Sequence, residues 1–139
     1  MLKIKTLTEL RKELLEIGEV LGSGKRPKFH FIIPDQPDGL ATPYLEIYDN
    51  EYHFIVSERG CELERKITTS DDEILYWFTD AGVHAMASHY AASKRLPNND
   101  FRAVYFRKQY QLMLSIKPEW ATRKRIELAE IIQKHPFDS

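Results

Sequence analysis

The chain has 139 residues, 42% of them hydrophobic, 12% aromatic and 29% charged, with 20 basic against 21 acidic residues and a formal net charge of −1. A domain of this size buries roughly 68–70% of its unfolded surface, enough for one core without staples, and the composition excludes general disorder. The charge balance excludes both the basic field of a nucleic-acid binder and the acidic one of a DNA mimic, so no direct nucleic-acid partner is expected. No window approaches the ~20 apolar residues of a membrane span, no membrane partner is expected, and the lone Cys61 rules out an internal disulfide and fits a reducing compartment. The expectation is a single soluble domain over 1–139, in the cytoplasm.

Thr6 and Glu9 spell a capping box, and Leu7, Leu10, Leu14, Ile17 and Leu21 recur at helical spacing, predicting a first helix over 6–21. Gly22 and Gly24 around Ser23 tolerate positive φ and should end it. Phe29 to Ile33 is a short apolar run between Pro27 and Pro34, the length of a strand, and Pro34 to Pro43, with Pro37 and Gly39 inside it, reads as a loop. Tyr44 to Tyr48 and Tyr52 to Ser57 flank Asp49-Asn50-Glu51 as a hairpin. After a second turn at Gly60, Cys61, Leu63, Arg65 and Ile67 alternate with Glu62, Glu64, Lys66 and Thr68, an edge strand with one strongly charged face. The sheet should occupy about 28–68.

Ser70 and Glu73 form another capping box, with Asp71 and Asp72 well placed against the helix dipole. The helix they open, about 71–95, should bury Ile74, Trp77 or Phe78, Ala81, Ala85 and Ser88, and Pro97 stops it. Asn99 or Asp100 caps a third helix over 100–116 with Phe101, Val104, Tyr105, Leu112 and Ile116 along one side. Pro118 opens a fourth, 118–134, with Trp120, Leu128, Ile131 and Ile132 inside and Arg123, Lys124, Arg125, Glu127 and Glu130 mainly outside. The fold class is α+β: a leading helix, a three- to four-stranded antiparallel meander, then a three-helix carboxy-terminal half packed on the sheet.

Reaction chemistry is thinly written. Asp80 and His84 stand four apart on a helix, the spacing of a carboxylate–imidazole pair, but no nucleophile accompanies them, and a helix-surface hydrogen bond is the simpler reading. His84 and His89, five apart, diverge around a helix, and His30 and His53 lack a carboxylate cluster, so neither pair predicts a metal. Gly22-Ser23-Gly24-Lys25-Arg26 lacks Walker spacing, and no cofactor is expected. Two tyrosines beside two carboxylates in Tyr48-Asp49-Asn50-Glu51-Tyr52, extended by Glu62 and Glu64, make the mixture with which protein interfaces anchor and steer a basic partner.

Several segments share their wording with a known family. Ser57-Glu58-Arg59-Gly60-Cys61-Glu62-Leu63-Glu64-Arg65-Lys66, Glu73-Ile74-Leu75-Tyr76-Trp77-Phe78, Asp100-Phe101-Arg102, Phe106-Arg107-Lys108-Gln109 and Pro118-Glu119-Trp120-Ala121 occur in an order and spacing that resembles the immunity protein 63 family of bacterial polymorphic toxin and contact-dependent inhibition systems. The resemblance implies a stoichiometric inhibitor, not an enzyme, that binds and neutralises a cognate toxin domain, often a nuclease in such systems. Two other classes stay open on the residues themselves. One is a small hydrolase using Asp80, His84 or Cys61, favoured if those groups converge in one pocket. The other is a nucleic-acid or regulatory adaptor, favoured if Arg123, Lys124 and Arg125 join the basic residues of the third helix in one patch.

Overall fold

Thr6 caps the first helix as its spacing to Glu9 requires: its Oγ1 accepts the Glu9 N–H at 3.2 Å, and the Glu9 carboxylate accepts the Thr6 N–H at 3.3 Å. The computed structural model describes residues 4–22 and 30–136, with Asn98 and Asn99 by backbone alone. In chain order the elements are α1 (Leu7–Leu21), β1 (Tyr44–Tyr48), β2 (Glu51–Glu58), β3 (Cys61–Thr68), α2 (Asp71–Ser93), α3 (Asn98–Leu114) and α4 (Pro118–Lys134). The α+β class holds, and the chain divides into two compact units, Met1–Ala81 and Gly82–Ser139.

In the first unit, α1 buries Leu10, Leu14 and Gly18, a stripe stepping by four that ends on glycine instead of passing through Ile17 and Leu21. Phe31 is the cause, since a Cβ on Gly18 would lie 3.1 Å from the Phe31 Cβ. The helix closes at Gly22 with φ −84, so no left-handed residue ends it there; Ser23 and Gly24 lie outside the described residues.

The strand expected over Phe29 to Ile33 is corrected for its described part: His30 to Ile33 is a turn followed by irregular chain, while Lys28 and Phe29 lie outside the described residues. Phe31 and Ile33 are buried, but the Ile33 carbonyl accepts from Arg11 on α1, from Nε at 2.9 Å and Nη2 at 2.8 Å, and so goes to a side chain instead of a ladder. Among the described residues the sheet therefore has three strands, in the order β1-β2-β3, all antiparallel. The predicted loop after Pro34 runs along its margin. There Leu40 bridges Glu58, and Ala41 N–H reaches the Ser57 carbonyl at 3.1 Å.

Both hairpin turns have two central residues with positive φ, Asp49 (53) with Asn50 (56) and Arg59 (51) with Gly60 (80), the conformation whose twist matches a right-handed strand pair. The first turn is thus one residue shorter than Asp49-Asn50-Glu51, and Glu51 is already in β2, opposite Tyr48. Strand β2 is buried on both faces, through Tyr52, His53, Phe54 and Ile55. On the α2 side Phe54 meets Trp77 and Phe78 edge-on, with centroids 5.8 and 4.9 Å away, and Lys66 of β3 lays its ammonium 4.7 Å from the Phe54 ring and 4.5 Å from Trp77. Ser70 Oγ accepts the Glu73 N–H at 3.1 Å to start α2, while the Ser70 N–H bonds Thr68 Oγ1 at 3.0 Å. The stripe α2 buries is Ile74, Leu75, Phe78, Val83, Ala87 and Ala91; the expected Trp77, Ala81, Ala85 and Ser88 are only half-buried beside it.

In the second unit α3 begins two residues earlier than expected, with Pro97 as its backbone cap in place of Asn99 or Asp100. Gln109, Leu112 and Met113 are its buried residues, and Tyr105 bonds His84 Nδ1 at 2.6 Å. Pro118 sits in the first turn of α4 as predicted, but the buried stripe runs Trp120, Ala121, Lys124, Leu128. Lys124, expected outside, is 3% exposed, and Ile131, expected inside, is 40% exposed. The Lys124 ammonium is satisfied by Glu127 at 3.1 Å, and its aliphatic stem supplies the apolar contact the stripe needs.

Candidate functional site

Away from α2, the sheet presents a face built around Arg65. Cross-strand pairing sets Glu46 opposite His53 and His53 opposite Ile67, with Ile55 opposite Arg65, so alternate residues of all three strands project together. Tyr48 stacks on His53 with ring centroids 4.2 Å apart at 17°. Arg65 then touches nearly everything on this face: His53 Nδ1 at 3.0 Å, Tyr48 Oη at 3.4 Å, Glu46 at 3.5 Å and Glu62 at 2.7 Å. Because Arg65 donates to Nδ1, His53 carries its proton on Nε2, which faces a Glu51 carboxylate oxygen at 3.5 Å.

The Glu62 contact depends on an irregularity. Val56 faces Glu64 and Ser57 faces Glu62, which leaves Leu63 as one extra residue in β3. Residues three apart on a regular strand point to opposite faces, and the bulge is what lets Glu62 and Arg65 meet. Arg65 holds the Glu62 carboxyl below its ordinary value, chiefly through the hydrogen bonds and then through its charge, and Glu62 in turn raises the guanidinium further. The rim of this face is open to solvent, with Tyr48 49% and Ile67 51% exposed, while Arg65 is half-buried and His53 buried.

Of the six residues the sequence pointed to, Tyr48, Glu51 and Glu62 come together here, with Asp49 exposed in the adjoining turn. Glu64 lies on the other face, 4.0 Å from Lys66. Tyr52 is corrected from surface anchor to core residue, since it is fully buried. Its hydroxyl accepts the Lys5 N–H at 2.6 Å and donates to Asp71, and burial first, then the Asp71 carboxylate, pushes its ionisation well above the ordinary tyrosine value. A three-residue turn would have set Tyr48 opposite Tyr52 on one face; the two-residue turn sets Tyr52 opposite Ile47 and turns it inward. Glu46, His53 and Arg65 were not singled out from sequence. Their signal is strand parity, readable once the turn length is known.

Residues of the other readings are placed as follows. Cys61 is exposed at the start of β3, Asp80 is half-buried on α2, and His84 is engaged by Tyr105. Arg123 and Lys124 both bond Glu127, at 3.3 and 3.1 Å, with Arg123 half-buried, Lys124 buried and Arg125 exposed. Among the described residues no group of three His, Cys, Asp or Glu side chains is arranged to hold a metal ion, and no helix is long and apolar enough to cross a membrane.

No curated protein and no solved structure matches the chain. The family model for immunity protein 63 matches residues 48–130, which takes in β2, β3, α2, α3 and most of α4, more than half of the 139 residues. The chain belongs to the immunity protein 63 family.

Proposed function

We propose that the protein neutralises a cognate toxin domain, of a polymorphic or contact-dependent inhibition system, by stoichiometric binding in the cytoplasm and without turnover, and that the Arg65 face of the sheet is the contact surface. The observation that carries the choice of surface is the cluster itself: a half-buried arginine and an exposed tyrosine, residue types that dominate binding hot spots, held in fixed geometry and rimmed by Glu46, Glu51 and Glu62. An anchor whose rotamer is already fixed loses less entropy on binding. The carboxylate rim, with Asp49 in the turn beside it, complements a basic toxin surface such as the substrate groove of a nuclease, and its occlusion would protect the cell.

The experiment uses the toxin domain encoded beside this chain. The purified pair should form a one-to-one complex in calorimetry and abolish toxin activity at equimolar ratio. Tyr48→Ala should chiefly raise the dissociation rate, whereas Glu51→Gln should chiefly lower a salt-sensitive association rate. Unchanged rates in a combined Tyr48→Ala, Arg65→Ala protein that still binds would move the interface elsewhere.

A further inference from the structure

We infer that the second unit carries a pocket for a small multiply charged oxyanion, of the phosphate or pyrophosphate class, between the end of α2 and the outer face of α3. The cavity measures about 330 Å³. Val104, Arg107, Lys108 and Gln111 line it from one face of α3, at the helical spacing that aligns side chains, and Tyr90, Lys94 and Leu96 close it from the other side. The Lys94 ammonium lies 4.8 Å and the Lys108 ammonium 4.4 Å from the centroid of the same Tyr90 ring.

The charge arrangement is what calls for a ligand. Three cations converge on one concavity lined by no acidic side chain, and among the described residues none of the three forms an ion pair. On α4, by contrast, Arg123 and Lys124 both meet Glu127. The π face of Tyr90 offsets part of the repulsion and holds both ammoniums near the cavity, leaving their remaining N–H donors for an anion. A guanidinium fork with two ammoniums suits the several oxygens and the double charge of a phosphate better than a single carboxylate. Gln111 adds an amide, and Val104 and Leu96 give an aliphatic wall that lowers the local dielectric. A concave site of this volume, with Arg123 and Lys124 of α4 tied to Glu127, fits a compact anion and not a strand of nucleic acid, which needs a continuous track.

The test titrates the intact protein with inorganic pyrophosphate by calorimetry and by amide chemical shifts, at ionic strength held constant with sodium chloride. Binding with a dissociation constant of about 1 mM or tighter is expected, with shifts centred on Tyr90, Lys94 and Lys108. The combined Lys94→Ala, Lys108→Ala protein should bind about tenfold or more weakly, while Arg125→Ala, an exposed cation outside the pocket, should bind normally. Lys108→Gln keeps the stem and serves as the second variant should the double one unfold by circular dichroism. Absence of saturable binding, shifts centred elsewhere, or equal loss in Arg125→Ala overturns the assignment. So does tight, steeply salt-dependent capture of a single-stranded oligonucleotide with no response to pyrophosphate, which would make the patch a nucleic-acid surface.

Discussion

Arg65 reaches back three residues along its own strand to bond Glu62 at 2.7 Å, a pairing that a regular β-strand forbids and the extra residue Leu63 permits. Deleting Leu63 should restore a regular ladder in which Glu62 and Arg65, then two residues apart, still project on one face and stay paired. Carbon-detected titration should then find the Glu62 carboxyl still held below the ordinary glutamate value. In Arg65→Ala, by contrast, the Glu62 carboxyl should return upward toward the ordinary glutamate value, and the complex with the toxin should weaken by about tenfold or more if Arg65 is an anchor.

Tyr52 carries no exposed surface, so its hydroxyl should matter to folding and not to binding. Tyr52→Phe removes the bonds to Asp71 and Lys5 and should cost about 1–3 kcal/mol in a denaturant titration, with toxin affinity unchanged.

Alkaline pH probes the same group. Its ionisation is raised in the folded protein, so the unfolded chain releases this proton first: the contribution is complete below the ordinary tyrosine value of 10.0 and is lost as pH rises from there through the folded value. Melting temperature should therefore fall more steeply above that pH in the native protein than in Tyr52→Phe; parallel curves would show that the hydroxyl is not coupled to folding.

Gly18 stands in mid-helix, where alanine ordinarily gains about 1 kcal/mol. Here the new Cβ would press at 3.1 Å on the Cβ of Phe31 and at 3.3 Å on its Cγ, atoms close to a buried backbone that cannot swing aside as a side-chain tip can. Overpacking of about 1–3 kcal/mol should exceed the helical gain, and Gly18→Ala should lower stability by about 1 kcal/mol.

Lys124 and Glu127 give opposite outcomes from the two ends of one pair. Lys124→Met removes a buried charge and keeps the stem, so stability should stay within about 1 kcal/mol or rise, whereas Glu127→Ala takes a carboxylate away from a buried ammonium and should cost about 1–3 kcal/mol. Chemical denaturation of both variants decides it.

What the sequence disclosed and what it withheld divide along a physical line. Thr6 with Glu9, Asp49 with Asn50, Gly60 and Pro118 act on the backbone within a few residues of themselves, and each marked its element where the structure has it. The run Phe29 to Ile33 did not, because alternate apolar residues can bury against a helix without joining a ladder, and Arg11, far off in sequence, decides where the Ile33 carbonyl goes. The Arg65 face was half visible: Tyr48, Glu51 and Glu62 lie on it, but one residue of turn length decided that Tyr52 left it, and a bulge invisible to alternation decided that Arg65 gathered it. Lys124 was misplaced for a similar reason, since charge predicts exposure until a partner is known.

The two tight turns place everything from Tyr44 to Thr68 in one meander whose strands pair only with sequence neighbours. Closing such short loops takes microseconds, and the slow search for distant contacts is not needed to bring Tyr48, His53 and Arg65 together. The Arg65 face is therefore written in a single continuous length of chain. On the proposed reading of this face as the toxin contact, exchanging that one short segment between relatives would redirect partner choice while the helices that follow keep their own sequence.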